Sequence, residues 1–299
     1  VERRPSQSLD AVYFDTPHHD LAAHRVTLRR RTGGPDAGWH LKLPAGPDSR
    51  SEVHAPLDAD SQDQVPEQLV DIVLAIVRDR PLAPVARIAT TRNVVMLHGA
   101  DGGALAEFCD DEVSAWAITD GGTADEQQWH EWELELVDGS IDGGAELRDR
   151  LGNRLLDAGA TPSGHGSKLA KVLDAAMAAA PDKPEPPSDP VHRAVAEQVA
   201  EMLEWDRAVR ADTYDSVHQM RVTTRKIRSL LQASEDAFGL TDDAWVLDEL
   251  RQLASVLGVA RDAEVLAERY EHALDALPPE LVRGPVRERL VDGAKRRYQ

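Results

Sequence analysis

Residues 129–137 read Trp-His-Glu-Trp-Glu-Leu-Glu-Leu-Val, and this alternation decides how the first half of the chain folds. Because successive side chains of a β-strand point to opposite faces, its three glutamates share one face and its apolar residues share the other. The glutamates are Glu131, Glu133 and Glu135. Three neighbouring carboxylates repel one another unless cations neutralise them. We therefore expect either basic side chains of the same sheet or metal ions beside this face.

Basic side chains follow the same alternation in two earlier strands. Arg29 and Arg31 share one face of the first, and His40 and Lys42 share one face of the second. The ordinary explanation of each pair is the solvent-facing side of a half-exposed sheet. If the arginine and glutamate rows instead face a common interior, they suit a metal–polyphosphate ligand, because Mg²⁺ is commonly bound by carboxylates together with substrate phosphate.

Strand periodicity recurs through the first half of the chain. The predicted strands are residues 11–15, 25–31, 39–43, 50–57, 85–97, 104–109, 113–118 and 129–137. Turn sequences at 33–35, 44–47, 99–103 and 121–122 separate several of them. Predicted helices lie at about 61–78, 143–158 and 166–179. Eight strands with few helices predict a closed antiparallel barrel, and the whole chain is then of the α+β class.

The chain changes character at a Pro-rich segment, residues 180–190, which has the composition of an extended linker. This segment divides a β-rich domain at 1–179 from an all-α domain at 191–299. Helices are predicted at about 191–210, 214–237, 242–257, 260–276 and 279–298. Helix starts are predicted at Asp212, Thr241 and Pro278, and helix ends at Gly239 and Gly258.

Composition narrows the possible partners and compartments. The formal net charge is −19 and the pI about 4.9, so the chain repels nucleic acid on average and a polyanion needs a local basic site. No apolar stretch is long enough to span a membrane. The single cysteine, Cys109, excludes intrachain disulfides and fits the reducing cytoplasm. The N-terminus has neither a signal peptide nor an initiator methionine, so we expect the chain to start inside a longer gene product.

Six segments of the first half occur in the order typical of one family. They are residues 13–17 (Tyr-Phe-Asp-Thr-Pro), 26–31 (Val-Thr-Leu-Arg-Arg-Arg), 39–44 (Trp-His-Leu-Lys-Leu-Pro), 91–92 (Thr-Arg), 109–113 (Cys-Asp-Asp-Glu-Val) and 131–136 (Glu-Trp-Glu-Leu-Glu-Leu). Together they resemble the CYTH family of triphosphate tunnel metalloenzymes over about residues 8–175. Residues 166–168 (Gly-Ser-Lys) resemble the closing Ser-Lys element of that family.

The resemblance implies an eight-stranded tunnel, a divalent metal (Mg²⁺ or Mn²⁺), and hydrolysis or transfer at a triphosphate. The phosphate-binding residues that it implies are Arg29, Arg31, Lys42, Arg92 and Lys168, with Arg87 as a further candidate. The metal ligands would come from Glu131, Glu133 and Glu135, with Asp111 holding the metal or its water. Which two of the three glutamates match the family pair is left open. The expected catalytic residues are Lys42, Arg92, Asp111 and Lys168.

One family element is missing from the sequence. The opening Glu-x-Glu-x-Lys strand, which supplies metal and phosphate ligands in the family, does not occur before Tyr13. We therefore expect this chain to bind triphosphate weakly and to turn it over poorly. Two functions stay open: a metal-dependent inorganic triphosphatase, or a non-catalytic triphosphate or polyphosphate scaffold or sensor.

A second basic cluster lies on a predicted helix after the linker. At about 100° per residue, four side chains form one narrow stripe flanked by Lys226. The stripe comprises His218, Arg221, Arg225 and Arg228. The ordinary explanation is pairing with acids of neighbouring helices, for which Glu249, Asp262 and Glu264 are candidates.

This basic helix and residues 257–266 resemble the two recurring elements of CHAD domains. The resemblance implies a helical bundle whose basic surface binds inorganic polyphosphate. The residues it implies as phosphate contacts are the four of the stripe and Lys226. Arg261 either joins them or pairs with an acidic side chain. The 109 residues after the linker match about one half of such a domain. We therefore expect that two chains can form a homodimer through this half, and a strict monomer in analytical ultracentrifugation would contradict that.

Overall fold

A computed structural model of the chain describes residues 1–44, 50–57, 64–100, 102–119, 122–137, 143–177, 187–211, 213–238 and 243–296. The chain divides into two units, Val1–Pro181 and Asp182–Gln299. The first unit is built on an antiparallel β-sheet and the second is helical, as the sequence predicts. No helix among the described residues has the length and apolar content needed to cross a membrane.

The sheet of the first unit is antiparallel throughout. Its strands are β1 (Glu2–Arg3), β2 (Gln7–Asp15), β3 (Thr27–Thr32), β4 (Gly38–Pro44), β5 (Arg50–Ala55), β6 (Ala83–His98), β7 (Ala104–Thr119), β8 (Gly122–Thr123) and β9 (Gln127–Leu136). The long strands run in the order β5-β4-β3-β2-β6-β7-β9, with β1 paired to β6 and β8 paired to β7. Among the described strands, β5 and β9 are the two edges.

The predicted break between strands 104–109 and 113–118 is wrong, because β7 runs through both. The intervening acidic residues, Asp110, Asp111 and Glu112, pair with β6 on one side and with β9 on the other. Asp111 is fully buried and bound by a cationic side chain, while Asp110 and Glu112 lie on the more exposed face of the same strand, so this stretch is not a turn.

Helices cover the two faces of the sheet differently. Helix α2 (Glu67–Val77) packs through Leu69 and Val73 against apolar residues of β2, β3 and β4, including Leu28 and Leu41. We call this side the outer face. On the other side, the inner face, α4 (Lys168–Met177) packs through Leu169, Val172 and Leu173 against β6 and β7. Helix α4 therefore begins, at Lys168, where the apolar part of the inner face gives way to its polar part.

Asp15 stabilises the connection between β2 and β3, the strand that carries Arg29 and Arg31. Its carboxylate is buried and accepts hydrogen bonds from the backbone N–H groups of Thr16, Leu21 and Ala22, at 2.7, 2.9 and 3.0 Å. Burial raises the pKa of Asp15, although these three donors favour the charged form and oppose the shift. The side chain also holds the first turn of α1 (Asp20–Ala23). The Tyr-Phe-Asp-Thr-Pro segment thus has a structural role.

Three long helices form most of the second unit. They are α5 (Pro190–Arg210), α6 (Ser216–Ala233) and α8 (Asp243–Asp275). The short elements are α3 (Gly144–Asp157) in the first unit and, in the second, α7 (Glu235–Phe238), a 3₁₀ turn (Pro279–Leu281), a π-helical turn (Glu288–Asp292) and α9 (Gly293–Lys295). Val217, Met220 and Leu257 form the core where α6 crosses α8, and Trp205 of α5 packs against it.

The predicted helix end at Gly258 is wrong, because α8 continues through it as one helix. A Cβ at Gly258 would lie 2.9 Å from Nη1 of Arg221, so the missing side chain leaves room for that guanidinium. The predicted helix 279–298 starts too early, because Pro279–Leu281 is a 3₁₀ turn and continuous helical backbone runs only from 286 to Lys295. Gly284 has a left-handed φ of 71° and precedes Pro285, and both break a helix.

Some predictions lie wholly or partly outside the described residues. They are the helix boundaries at Asp212, Gly239 and Thr241, the linker at 180–190 and the turns at 44–47, 99–103 and 121–122.

Candidate functional site

A cavity of about 430 Å³ opens on the inner face of the sheet. Side chains of β2, β3, β4, β5, β6, β7 and β9 line it, together with the start of α4, so the sheet curves around it. Its cationic residues are Arg29, Arg31, Lys42, Arg92 and Lys168. Its acidic residues are Asp36, Glu52, Glu107, Glu133 and Glu135. The structure thus brings five of the six predicted phosphate-binding residues together.

Three carboxylates form a close group at one side of this cavity. Carboxylate oxygens of Asp111, Glu131 and Glu133 all lie within 4.8 Å of one another. The register explains the selection, because Asp111 of β7 lies directly opposite Glu131 of β9, and Glu133 follows on the same face. Glu135 lies one step further along the strand, is exposed, and is not part of the group.

Two cations bind this carboxylate group. Arg92 makes a forked contact with Asp111, with Nε 2.8 Å from Oδ1 and Nη2 2.6 Å from Oδ2, and reaches Glu133 at 2.5 Å. The Nζ atom of Lys168 lies 3.0 Å from Asp111 and 2.5 Å from Glu131, and it also contacts Glu133. Two positive charges against three carboxylates leave one negative charge in excess.

The electrostatics favour the charged forms of Glu133, Arg92 and Lys168. Burial would raise the pKa of Glu133, but the charges of Lys168 and Arg92 lower it to about 2. Burial would lower the pKa values of Lys168 and Arg92, but the carboxylates raise both. Trp129 adds a hydrogen bond from its indole N–H to Glu131 at 2.5 Å. The sequence analysis missed Trp129, although its two-residue spacing from Glu131 places both on one face.

The arginines of β3 form the opposite side of the cavity. Arg31 is only 8% exposed, and it pairs with Asp36. Burial and the nearby charges of Arg29 and Arg92 lower the pKa of Arg31 to about 10. The Nε atoms of Arg29 and Arg31 are buried and have no hydrogen-bond partner among the described residues. A buried donor without a partner is costly, so these two atoms are unsatisfied polar groups in the cavity wall.

Lys42 lies beside a third group of polar side chains. Its Nζ atom is 3.5 Å from Glu52. Burial would raise the pKa of Glu52, but the hydrogen bond with His40 and the charges of Lys42 and Arg29 lower it to about 2. His40 is fully buried, and its two ring nitrogens lie 2.7 Å from Glu52 and 2.9 Å from the carbonyl oxygen of Asp36. The sequence analysis missed Glu52 and Asp36.

The structure places Arg87 away from the cavity. Its Nε atom donates to both carboxylate oxygens of Asp10 at 3.0 and 3.2 Å, and its guanidinium lies 5.8 Å from the ring centroid of Trp116. Arg87 and Arg92 are five residues apart on the continuous strand β6, and an odd separation puts them on opposite faces. The prediction of Arg87 as a phosphate ligand is corrected for this reason.

The basic stripe of the second unit lies on α6. Among the described residues, none of its four members has an acidic partner, and Lys226 lies 3.8 Å from Glu201. The stripe comprises His218, Arg221, Arg225 and Arg228. The expected acid Glu264 instead binds Arg261 of its own helix at 2.7 Å. Arg261 is therefore paired, whereas the four residues of the stripe have no ion pair among the described residues.

Comparison with known proteins finds two family matches. A model of the CYTH domain matches residues 5–157, and a model of the CHAD domain matches residues 193–299. The Mycobacterium tuberculosis proteins MT2285 (strain CDC 1551 / Oshkosh) and Rv2226 (strain ATCC 25618 / H37Rv) are each 68% identical over 309 residues. These alignments cover 100% of this chain, which spans 60% of the length of each relative.

Two solved structures are also similar in part. PH1819 from Pyrococcus horikoshii OT3 has 18% identity and a TM-score of 0.37, covering 58% of this chain and 88% of that one. HpAC1 from Hippeastrum, described with a dominant triphosphatase activity, has 18% identity and a TM-score of 0.34, covering 58% of this chain and 84% of that one.

Proposed function

This chain belongs to the CYTH family and carries a CHAD domain after its CYTH domain, and on this basis we propose that its first unit hydrolyses inorganic triphosphate with a divalent metal ion. The observation that carries the proposal is the cavity on the inner face. Arg29 and Arg31, whose Nε atoms have no partner among the described residues, line the same cavity as Glu133, which belongs to the carboxylate group.

The carboxylate group fits a hard divalent ion. Asp111, Glu131 and Glu133 offer only oxygen donors, which suit Mg²⁺ or Mn²⁺, and together with Arg92 and Lys168 they keep an excess negative charge. These three residues would hold the metal. When bound, such an ion neutralises charge on phosphate oxygens and lowers the pKa of a water ligand. Arg92 and Lys168 already contact the carboxylates and can turn to phosphate oxygens within the same cavity.

The remaining side chains bind and orient the substrate. The guanidinium forks of Arg29 and Arg31 match phosphate geometry, and Lys42 supplies a point charge. Phosphoryl transfer depends mainly on positioning and charge neutralisation, so these contacts are the main contribution of the chain. Burial raises the pKa of Cys109, in the same wall, to about 12, so its thiol stays protonated and is not a nucleophile.

Phosphate release from inorganic triphosphate tests this proposal. We expect slow release by this chain in Mg²⁺ or Mn²⁺ and none in a chelator. Calorimetry on the same samples measures triphosphate binding separately. Tight binding with no release in either metal would overturn hydrolysis and leave the alternative function, a triphosphate or polyphosphate scaffold.

We further propose that the second unit binds inorganic polyphosphate through the stripe on α6. Its four basic side chains have no acidic partner among the described residues, in a protein whose net charge is −19. Such a local site overcomes the overall repulsion of an anion.

Trp245, Val256 and Val259 are exposed on α8, and a homodimer through the helical unit stays a prediction.

Arg225→Ala is expected to weaken polyphosphate binding about tenfold, because a charge-assisted contact contributes roughly 1.5–3 kcal/mol and Arg225 is exposed. The salt dependence of the affinity should also become shallower, because fewer counterions are exchanged. Binding is measured at several salt concentrations with polyphosphate of fixed length. Arg251→Ala is the matched control, since Arg251 is exposed on α8 and pairs with Asp248. An equal loss in both variants would show that binding follows net charge and not the stripe.

A further inference from the structure

A second group of metal-ligating side chains lies on β4 and β5, apart from the carboxylate group of Asp111. Ligand atoms of His40, Glu52 and His54 all lie within 4.8 Å of one another. The strand register brings them together, because His40 lies directly opposite His54, and Glu52 lies two residues before it on the same face. Strand β5 is an edge of the sheet among the described strands, so the group is accessible from outside.

The hydrogen bonds of His40 define which ring nitrogen faces this group. Its Nε2 atom lies 2.9 Å from the carbonyl oxygen of Asp36, which can only accept, so Nε2 carries a hydrogen. Its Nδ1 atom lies 2.7 Å from Oε1 of Glu52. The 2.7 Å distance is that of a hydrogen bond, so the two atoms share a proton in this structure. A metal ion would bind here by displacing that proton, after which Nδ1 and Oε1 both face the ion.

We propose that His40, Glu52 and His54 form a binding site for one transition-metal ion of the Zn²⁺ class. Two imidazole nitrogens and one carboxylate oxygen are a typical ligand set for Zn²⁺ and its neighbours, whereas Mg²⁺ prefers oxygen alone. The Nε2–H of His40 on a backbone carbonyl is the usual second hydrogen bond of a metal-binding histidine. The site does not depend on the proposed hydrolysis.

The surroundings of the group favour binding without rebuilding the sheet. His40 is fully buried and fixed by its hydrogen bonds, while the side chain of His54 is 54% exposed and free to turn toward an ion. The Nε2 atom of His54 is already 3.6 Å from Oε1 of Glu52. The competing charge is Lys42, whose Nζ lies 3.5 Å from Oε2, the other carboxylate oxygen. The ion would therefore bind Oε1 of Glu52, while Oε2 stays paired with Lys42.

Cobalt binding followed by visible absorption tests the site. The protein is stripped with chelator and titrated with Co²⁺ in excess Mg²⁺, which occupies the all-oxygen group. We expect one Co²⁺ per chain with the absorption of nitrogen ligation, displaced by Zn²⁺. Because even an outer hydrogen-bond partner of a ligand contributes about 10–100-fold to metal affinity, removing a ligand in His54→Ala or Glu52→Gln should cost at least that much.

Two control variants test whether Co²⁺ binds at this group and nowhere else. His18→Ala removes an exposed histidine outside the group and should leave Co²⁺ binding unchanged. Glu133→Gln alters the all-oxygen group and should also leave the Co²⁺ stoichiometry unchanged. If Co²⁺ does not bind in excess Mg²⁺, or binds equally well to His54→Ala and Glu52→Gln, no metal ion replaces the shared proton of His40 and Glu52 and the metal site is overturned.

Discussion

Glu133→Gln is expected to lower metal-dependent phosphate release by at least about a hundredfold, the usual effect of removing one key charge-stabilising group from an active site. Glu133 belongs to the metal-binding carboxylate group and contacts both Arg92 and Lys168. The substitution keeps the size of the side chain but removes its charge. Because one negative charge leaves the cavity, triphosphate binding should be retained or become tighter. Measuring the release rate and the dissociation constant on the same sample separates the two effects.

Glu135→Gln is the matched control for this experiment. Glu135 lies two residues away on the same face of β9 and also lines the cavity, but it is exposed and outside the carboxylate group. We expect its phosphate release to stay within about twofold of the original, the range of a surface change. The pair of variants also decides which glutamates hold the metal. An equal loss in both variants would show that the group built on Asp111 is not the metal site.

Arg29→Ala is expected to weaken triphosphate binding about 10- to 100-fold, because a hydrogen bond to a charged group contributes roughly 1.5–3 kcal/mol. Arg29 lines the cavity, and its buried Nε atom has no partner among the described residues. The substitution should consequently lower hydrolysis at substrate concentrations that only just saturate the original protein. Calorimetric titration at fixed ionic strength gives the dissociation constant, and phosphate release gives the rate.

The control for Arg29 is Arg87→Ala, which removes the same charge from the other face of the sheet. Arg87 is held by Asp10 outside the cavity, so triphosphate binding should change by less than about twofold. A comparable loss in both variants would mean that the affinity reflects the overall charge of the domain. A loss confined to Arg87→Ala would place the ligand on the outer face and contradict the cavity.

Much of the site follows from strand alternation alone. The two-residue period correctly groups Arg29 with Arg31, and Glu131 with Glu133, and the same period would have excluded Arg87 had it been applied across β6. The register between strands could not be predicted from one sequence. This register places Asp111 opposite Glu131, and for that reason Glu135 lies outside the carboxylate group.

Local signals failed where distant packing decided the outcome. Gly258 is a weak helix former, yet α8 passes through it. A glycine fits at this position because the guanidinium of Arg221 occupies the space that a side chain would need. Glu52 joins the cavity through the pairing of β5 with β4, and nothing in its own segment indicates a binding role. Such contacts depend on which strands and helices meet, and periodicity does not contain that information.

The position of Lys168 at the start of α4 has a consequence for the order of folding. Pairing of β7 with β9 brings Asp111 beside Glu131, two like charges that resist the step. Arg92 lies 19 residues from Asp111 along the chain, whereas Lys168 lies 57 residues from Asp111 and must close a longer loop to reach it. We expect the acidic end of the sheet to become rigid last, when α4 docks. The lysine that prepares the cavity for an anion is then also the residue that completes the sheet.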